Sequence, residues 1–323
     1  MVVRPEMRAA VLVGGRGVRV DGVAVPEPGP GEVRIRVEGC GVCASNLPVW
    51  EGRSWFQYPL PAGAPGHEGW GWVDAVGAGV TAVKEGDRVA FLSGHAYAEY
   101  DLAPVTSLVR LPDQLADRPF PGEALGCAFN VFRRSAIGAG DTVAIVGIGF
   151  LGAVLTRLAT RAGARVVAIS RRRFALEVAR AQGAAETIAL DEKWRVVERV
   201  RELTDGVGCD CVIEAVGLQG PLELAGELTR ERGRLVIAGY HQDGERRINM
   251  QLWNWRGLDV INAHERDPAV YVAGIRDAVA AIAEGELEPW PLFTHGYSLD
   301  ELGDALTAVA ERPEGFLKAV VLV

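Results

Sequence analysis

Apolar and polar positions along this chain fall into three textures, and each predicts a different kind of element. In the N-terminal third the apolar runs are short and broken by turn residues. Residues 7–13, 32–40, 69–76, 88–91 and 97–102 read as strands. In the second of these, Val33, Ile35 and Val37 share one face and charged residues take the other. Pro26-Glu27-Pro28-Gly29-Pro30-Gly31 is a rigid turn, and Val76-Gly77-Ala78-Gly79 and Glu85-Gly86-Asp87 separate later strands. Short strands punctuated this often predict a small barrel or sandwich.

From Gly122 the pattern turns helical, and from Asp141 strands and helices alternate. Thr142-Val143-Ala144-Ile145-Val146 and Arg165-Val166-Val167-Ala168-Ile169 have the length and apolarity of buried strands. Residues 153–162 between them carry apolar side chains at helical spacing, and residues 211–215 and 234–238 are further buried strands. Such alternation predicts an open, doubly wound parallel sheet with helices on both faces. After Asn262 the texture changes again: helices over 268–283 and 299–312 lead to a last strand at 319–322.

One turn inside the alternating region has a chemical reading. Gly147-Ile148-Gly149-Phe150-Leu151-Gly152 joins the strand at 142–146 to the helix that follows, the spacing of a dinucleotide-binding βαβ unit. One glycine permits the sharp turn, one lets backbone approach a pyrophosphate, and one lets helix and strand pack closely. The helix N-terminus then offers unpaired N–H groups and the positive end of its dipole to the phosphates. A site for NAD wants a carboxylate at the end of the next strand. Here that strand ends in Ser170-Arg171-Arg172-Arg173, with no acid until Glu177. A serine hydroxyl and guanidinium forks bind a 2′-phosphate, whereas a carboxylate repels one, so NADP(H) is expected over NAD(H).

Length and composition narrow the class. At 323 residues the chain has room for two domains, and 49% hydrophobic with 24% charged residues is ordinary for a soluble enzyme. The net charge of −8 argues against nucleic acid or an anionic membrane as a partner. No apolar run approaches the length of a membrane span, and Met1-Val2-Val3-Arg4-Pro5 carries no signal-peptide apolar segment. Five cysteines, an odd number, do not suggest a disulfide framework, and a reducing cytoplasm is expected.

Three short stretches carry candidate metal ligands: Gly39-Cys40-Gly41-Val42-Cys43-Ala44-Ser45-Asn46, Gly66-His67-Glu68-Gly69 and Gly122-Glu123-Ala124-Leu125-Gly126-Cys127. Taken alone, Cys40-x-x-Cys43 is a redox pair or half a structural zinc site. There is no second such motif, and a redox pair more usually begins a helix beside a βαβ unit. One thiolate, one imidazole and one carboxylate instead suit a catalytic zinc with an open coordination position. Each residue singly is equally consistent with a buried thiol, an ordinary histidine or a solvated acid. Together, each beside glycine in a chain with five histidines, they form a pattern.

With these motifs assembled, the chain resembles the zinc-dependent medium-chain dehydrogenase/reductase family, the alcohol and polyol dehydrogenases. The resemblance rests on Cys-Gly-Val-Cys-x-Ser from Cys40, Gly-His-Glu-x-x-Gly from Gly66, Gly-Asp-Arg-Val from Gly86 and Ala-Tyr-Ala-Glu-Tyr from Ala96. The glycine turn and Leu-Phe-Thr-His from Leu292 complete it. It implies a GroES-like β-barrel catalytic domain over residues 1–130, a Rossmann domain over 131–261, and a return segment over 262–323 completing the first. It also implies a catalytic zinc on Cys43 and His67. Relatives take either cysteine or glutamate as third ligand, and the spacing of a polyol-type Glu-Pro-Leu motif matches Glu123-Ala124-Leu125, with Asn130 and Arg133-Arg134 following. Glu123 is therefore expected, while Cys127, four residues on and able to face the same way on a helix, stays open. Glu68 would ligate transiently or orient the site, and Ser45 would relay the substrate proton.

Departures from the family also carry expectations. No cysteine lies between Asp87 and Cys127, so the structural-zinc lobe is missing and one zinc per chain is expected. Asn46 stands where relatives place an aspartate that accepts a hydrogen bond from the zinc histidine, and its amide oxygen is expected to take that bond. Pro48 occupies a position where some relatives carry a relay histidine. Ser170 stands where NAD-specific relatives hold their acid, and Arg172 matches an arginine that binds the 2′-phosphate in NADP-dependent ones. Trp50, Trp55, Phe56 and Tyr58 either line a substrate cleft or pack a long loop. Trp253 and Trp255 are expected to share a strand face, Cys209 and Cys211 to be core, and His295 to be structural. His95, His241 and His264 have no partner visible in the sequence.

The implied reaction is reversible hydride transfer between NADP(H) and a small secondary alcohol or ketone, with polyols, cyclitols and sugars as candidates, in a homo-oligomer (dimer or tetramer). The alternatives are a zinc-free enone or quinone reductase of the same fold and a non-catalytic dinucleotide-binding protein.

Overall fold

The computed structural model describes residues 5–323, and the chain folds as two compact units, one of Met1–Gly126 with Asp267–Val323 and another of Cys127–Arg266. In the first unit, β1 (Glu6–Gly14) and β2 (Gly17–Ala24) form an antiparallel hairpin. The sequence pattern leaves β2 unassigned, because it is half-buried along its length and has no continuous apolar face. Next come β3 (Glu32–Val42), the short helix α1 (Leu47–Glu51), β4 (Glu68–Val76), β5 (Arg88–Phe91), β6 (Tyr100–Pro104) and β7 (Leu108–Arg110). The strand expected from residue 97 begins only at Tyr100, because Tyr97 binds elsewhere: its N–H reaches Gly63 O at 3.1 Å and its carbonyl accepts from Ala10 N at 2.8 Å. Arg88 of the Gly-Asp-Arg-Val motif closes this region, donating to Glu38 at 2.6 Å, Leu115 O at 2.6 Å and Arg118 O at 2.8 Å. Helix α2 (Gly122–Ser135) carries Glu123 in its first turn.

In the second unit six parallel strands, β8 (Thr142–Val146), β9 (Arg165–Ser170), β10 (Glu186–Ala189), β11 (Cys209–Glu214), β12 (Thr229–Ile237) and β13 (Asp259–Asn262), lie in the order β10-β9-β8-β11-β12-β13. Strand order reverses between β8 and β11, which is where doubly wound sheets open a crevice at their carboxyl ends. Helices α3 (Phe150–Arg161), α4 (Arg173–Ala181), α5 (Lys193–Leu203), α6 (Gln219–Leu228) and α7 (Met250–Arg256) alternate with them. Cys209 and Cys211 are buried in β11, where burial pushes their thiols up to about 12 and about 11.

The shared strand face expected for Trp253 and Trp255 is overturned, since both lie on α7. Asn249 caps that helix by accepting from Leu252 N at 3.0 Å, and Gly257 ends it in the left-handed conformation. On a helix, positions two apart diverge. Trp253 is accordingly buried near Gly226 while Trp255 is 87% exposed.

The chain then returns to the first unit through α8 (Pro268–Ala283), β14 (His295–Ser298), α9 (Leu302–Glu311) and β15 (Ala319–Leu322). β15 runs antiparallel to β3 with Ala319 opposite Val42, and β14 runs parallel to β15. Val33, Ile35, Val37, Val73, Phe91 and Leu302 belong to the core beneath. The last strand thus pairs with the strand that leads into Cys43.

The glycine turn after β8 is shaped as its chemistry requires. Gly147 has φ +103°, a conformation L side chains rarely adopt. A Cβ on Gly152 would fall 2.2 Å from Gly147 O, whereas one on Gly149 would meet nothing within 4 Å. The turn is therefore closed on its inner side and open at Gly149, the N-cap of α3, whose N-terminus has no side-chain cap. Gly152→Ala should force the turn open, costing about 1–3 kcal/mol of stability and weakening dinucleotide binding. Thermal unfolding and cofactor titration check this, and an unchanged variant would mean that the close approach is not what shapes the turn.

Candidate metal centre and dinucleotide site

Three backbone features converge on one cluster in the first unit. β3 ends at Val42 and hands Cys43 to a single tight turn, Ala44–Asn46, that includes Ser45; Asn46 N–H donates to Cys43 O at 3.0 Å. His67 directly precedes β4, and Glu68 is its first residue, paired with Gly41 across the ladder. The donor atoms of Cys43, His67 and Glu68 all lie within 4.8 Å of one another. Gly41 makes room for this: a Cβ there would sit 1.8 Å from Glu68 Oε2.

Lys318, just before β15, completes the cluster and has no counterpart in the expectations drawn from sequence. Its ammonium lies 2.6 Å from both Glu68 carboxylate oxygens, hydrogen-bonds Oε1, and also donates to Val42 O at 3.2 Å. Thr294 of the Leu-Phe-Thr-His motif fixes the segment that presents it, its hydroxyl accepting from Leu317 N at 2.9 Å and Lys318 N at 3.4 Å. His295 beside it contacts Thr294 and Phe316, a packing role. Burial opposes the charge on Lys318, but Glu68, Cys43 and Glu123 outweigh it and raise its pKa. The one signal in the sequence is a lysine among Phe316, Leu317, Ala319, Val320 and Val321.

His67 feels the same charges. Burial lowers its pKa, yet the hydrogen bond and charge of Cys43, followed by Glu123 and Glu68, carry it up to about 10. Its Nδ1 lies 2.9 Å from Pro65 O, which accepts a proton there and leaves Nε2 as the ring's other donor atom. The expected bond from this histidine to Asn46 is therefore corrected: a backbone carbonyl takes it. Asn46 acts one step behind, donating to Pro65 O at 3.4 Å and accepting from Tyr97 Oη at 2.8 Å.

The donor set fits a metal. With the His67 proton displaced, a Cys43 thiolate and the Glu68 and Glu123 carboxylates against the Lys318 ammonium would leave two negative charges, which a dication would balance. Glu68 Oε2 is buried and in ion-pair contact with Lys318, with no hydrogen bond of its own. Glu123, on the first turn of α2, acts on both His67 and Lys318 by its charge. Cys40 and Cys43 are both free, and burial, then the charge of Glu68, push the Cys40 thiol well above its ordinary range. Of the loop aromatics, Trp50 is buried with its indole N–H on Arg16 O at 2.9 Å, and Tyr58 hydrogen-bonds Val49 O. These two pack the loop, while Trp55 is 61% exposed under the Arg53 guanidinium.

In the second unit the end of β9 is equally specific. Ser170 is buried and its hydroxyl accepts from Arg172 N at 3.3 Å. Arg172 Nη2 donates to Ile148 O at 3.0 Å, which brings its guanidinium to the glycine turn. Arg171 is exposed, and Arg173 pairs with Glu177 at 3.4 Å.

Comparison with known proteins agrees with this chemistry. A family model described as alcohol dehydrogenase GroES-like domain matches residues 29–113, and one described as zinc-binding dehydrogenase matches residues 151–277. Sorbitol dehydrogenase of Halalkalibacterium halodurans is 27% identical over 318 residues, covering 88% of this chain and 90% of that protein. Erythritol/L-threitol dehydrogenase of Mycolicibacterium smegmatis is 29% identical over 352 residues, covering 96% of each. A structure described as a zinc-binding dehydrogenase from Sinorhizobium meliloti 1021 bound to NADP superposes with a TM-score of 0.85 at 26% identity, covering 99% of this chain and 100% of that one.

Because His67 holds a proton up to about pH 10 without metal, a metal must displace that proton to bind. Apparent zinc affinity of the apoprotein should therefore rise at least about tenfold per pH unit between pH 6 and 8. Competition with a chromophoric chelator at several pH values measures this; a flat profile would remove His67 from the ligand set.

Proposed function

Because this chain belongs to the zinc-dependent medium-chain dehydrogenase/reductase family, we propose that it oxidises a secondary alcohol to a ketone, reversibly, with NADP as hydride acceptor. The observation that carries this is the Cys43–His67–Glu68 cluster, half-buried at Cys43 and His67 and buried at Glu68, with Lys318 behind it. Cys43 and His67 hold one zinc, Glu123 serves as third ligand, and the absence of a second cysteine cluster leaves one zinc per chain. When bound, zinc supplies Lewis acidity toward the substrate oxygen.

The remaining steps belong to the chain's own residues. Pro65 O fixes the tautomer of His67. Lys318 restrains Glu68 beside the ligands by an ion pair to both of its carboxylate oxygens. Ser45, two residues beyond Cys43, takes the proton from the alcohol and passes it outward. The open face at Gly149 and the N-terminus of α3 receive the pyrophosphate. The glutamate-type metal site, with polyol dehydrogenases among the relatives, favours hydroxylated substrates such as polyols, cyclitols and sugars. A zinc-free reductase of the same fold would have no use for a thiol, an imidazole and a carboxylate gathered at one point.

Two measurements test the reading. Glu123→Ala should lose zinc and activity while Cys127→Ala keeps both, as read by metal analysis of the purified proteins; the reverse outcome would move the third ligand to Cys127.

Cofactor choice follows from the end of β9, where Ser170 and Arg172 stand and the next acid along the chain, Glu177, engages Arg173. Wild type should prefer NADP(H) in kcat/KM. A partly exposed charge-assisted contact is worth about 1.5–3 kcal/mol, so Arg172→Ala should cost about one to two decades in NADPH affinity. Ser170→Asp with Arg172→Ala should reverse the preference at unchanged zinc content. A wild type that prefers NAD(H) would refute the assignment.

A further inference from the structure

A buried carboxylate in the second unit is used by none of the steps above. Glu214, the last residue of β11, is wholly buried at the carboxyl end of the parallel sheet. Its Oε1 accepts from Val216 N at 2.7 Å and Gly217 N at 2.8 Å, and its Oε2 lies 3.0 Å from His241 Nε2. On the other side of that ring, Arg246 Nε donates to His241 Nδ1 at 2.8 Å. A guanidinium has no acceptor, so Nδ1 must accept, and the ring proton sits on Nε2 and is donated to Glu214. Arg246 Nη2 also donates to Gly217 O at 3.0 Å, so the chain of contacts closes on the turn where it began.

That turn forms one wall of the glycine turn. A Cβ on Gly147 would come 2.3 Å from Val216 Cγ2, so the Val216 side chain lies directly against Gly147. We propose that His241 and Arg246 are positioning residues for the dinucleotide, holding the 215–217 turn against Gly147 through Glu214. This rests on the reading of the glycine turn as the cofactor site. Gly147 serves the part of the cofactor that NADPH and NADH have in common, whereas Ser170 and Arg172 serve the 2′-phosphate. The chain should therefore affect both cofactors equally.

The test uses the zinc-loaded, full-length enzyme, titrated with NADPH and separately with NADH by fluorescence. His241→Phe leaves Glu214 Oε2 and Arg246 Nε without partners and should raise both dissociation constants by the same factor, about tenfold for the loss of a buried hydrogen-bonded group. His241→Gln can both donate and accept, and should restore most of the affinity. The loss should fall on KM for the cofactor and not on KM for the alcohol, which a general loosening of the fold would not discriminate. Arg172→Ala, in contrast, should weaken NADPH alone. Wild-type affinity for both cofactors in His241→Phe, or a Gln variant as weak as the Phe variant, would overturn the proposal. Should His241→Phe not fold, Arg246→Met is read in the same titration, with the same expected loss and the same overturning result. A wild type that binds neither dinucleotide would refute the cofactor reading itself, and this inference with it.

Discussion

The 2.6 Å pair between Lys318 and Glu68 ties the two ends of the first unit together, and the metal centre depends on it. Glu68 opens β4, Cys43 follows β3, and Lys318 precedes β15, which pairs with β3. A carboxylate placed this deep is tolerated only with compensation, and breaking such a pair by removing one partner costs about 3–5 kcal/mol. The same lysine holds the Glu68 carboxylate beside Cys43 and His67. Charge balance, more than shape, explains why a segment near residue 318 must return to a strand formed before residue 43.

Charge balance also accounts for the roles around His67. Among Cys43, Glu123 and Glu68, the His67 imidazole holds a proton until about pH 10, which marks a site built for a cation. Pro65 O orients the ring, Asn46 supports that carbonyl, and Tyr97 supports Asn46. An amide at residue 46 donates to Pro65 O, which a carboxylate could not do, and adds no negative charge to an already anionic pocket. Tyr97 belongs to the Ala-Tyr-Ala-Glu-Tyr motif, and its departure from the expected strand is what frees it to reach Asn46.

The second unit solves a different problem, that of presenting backbone to a polyanion. It does so with positions where a side chain cannot fit, Gly147 and Gly152, and one where the space is open, Gly149. Around this turn the side-chain contacts are local and specific: Arg172 on Ile148 O from one side, Val216 on Gly147 from the other. No described helix is long and apolar enough to cross a membrane.

Much of this was legible in the sequence because it is encoded over short distances. Alternation in 32–42, the continuous apolar runs at 142–146 and 165–170, and the glycine spacing from 147 to 152 each report a local conformation. Cys43, His67 and Glu68 stood out by residue type within short glycine-containing stretches. The misreadings have local causes as well: β2 lacked an apolar face, and the caps Asn249 and Gly257 on α7 were masked by two tryptophans at strand spacing. What only the tertiary structure decided are pairings across long separations. Lys318 with Glu68, Tyr97 with Asn46, and Glu214 with His241 and Arg246 depend on which strand ends meet, and no periodicity within a segment records that.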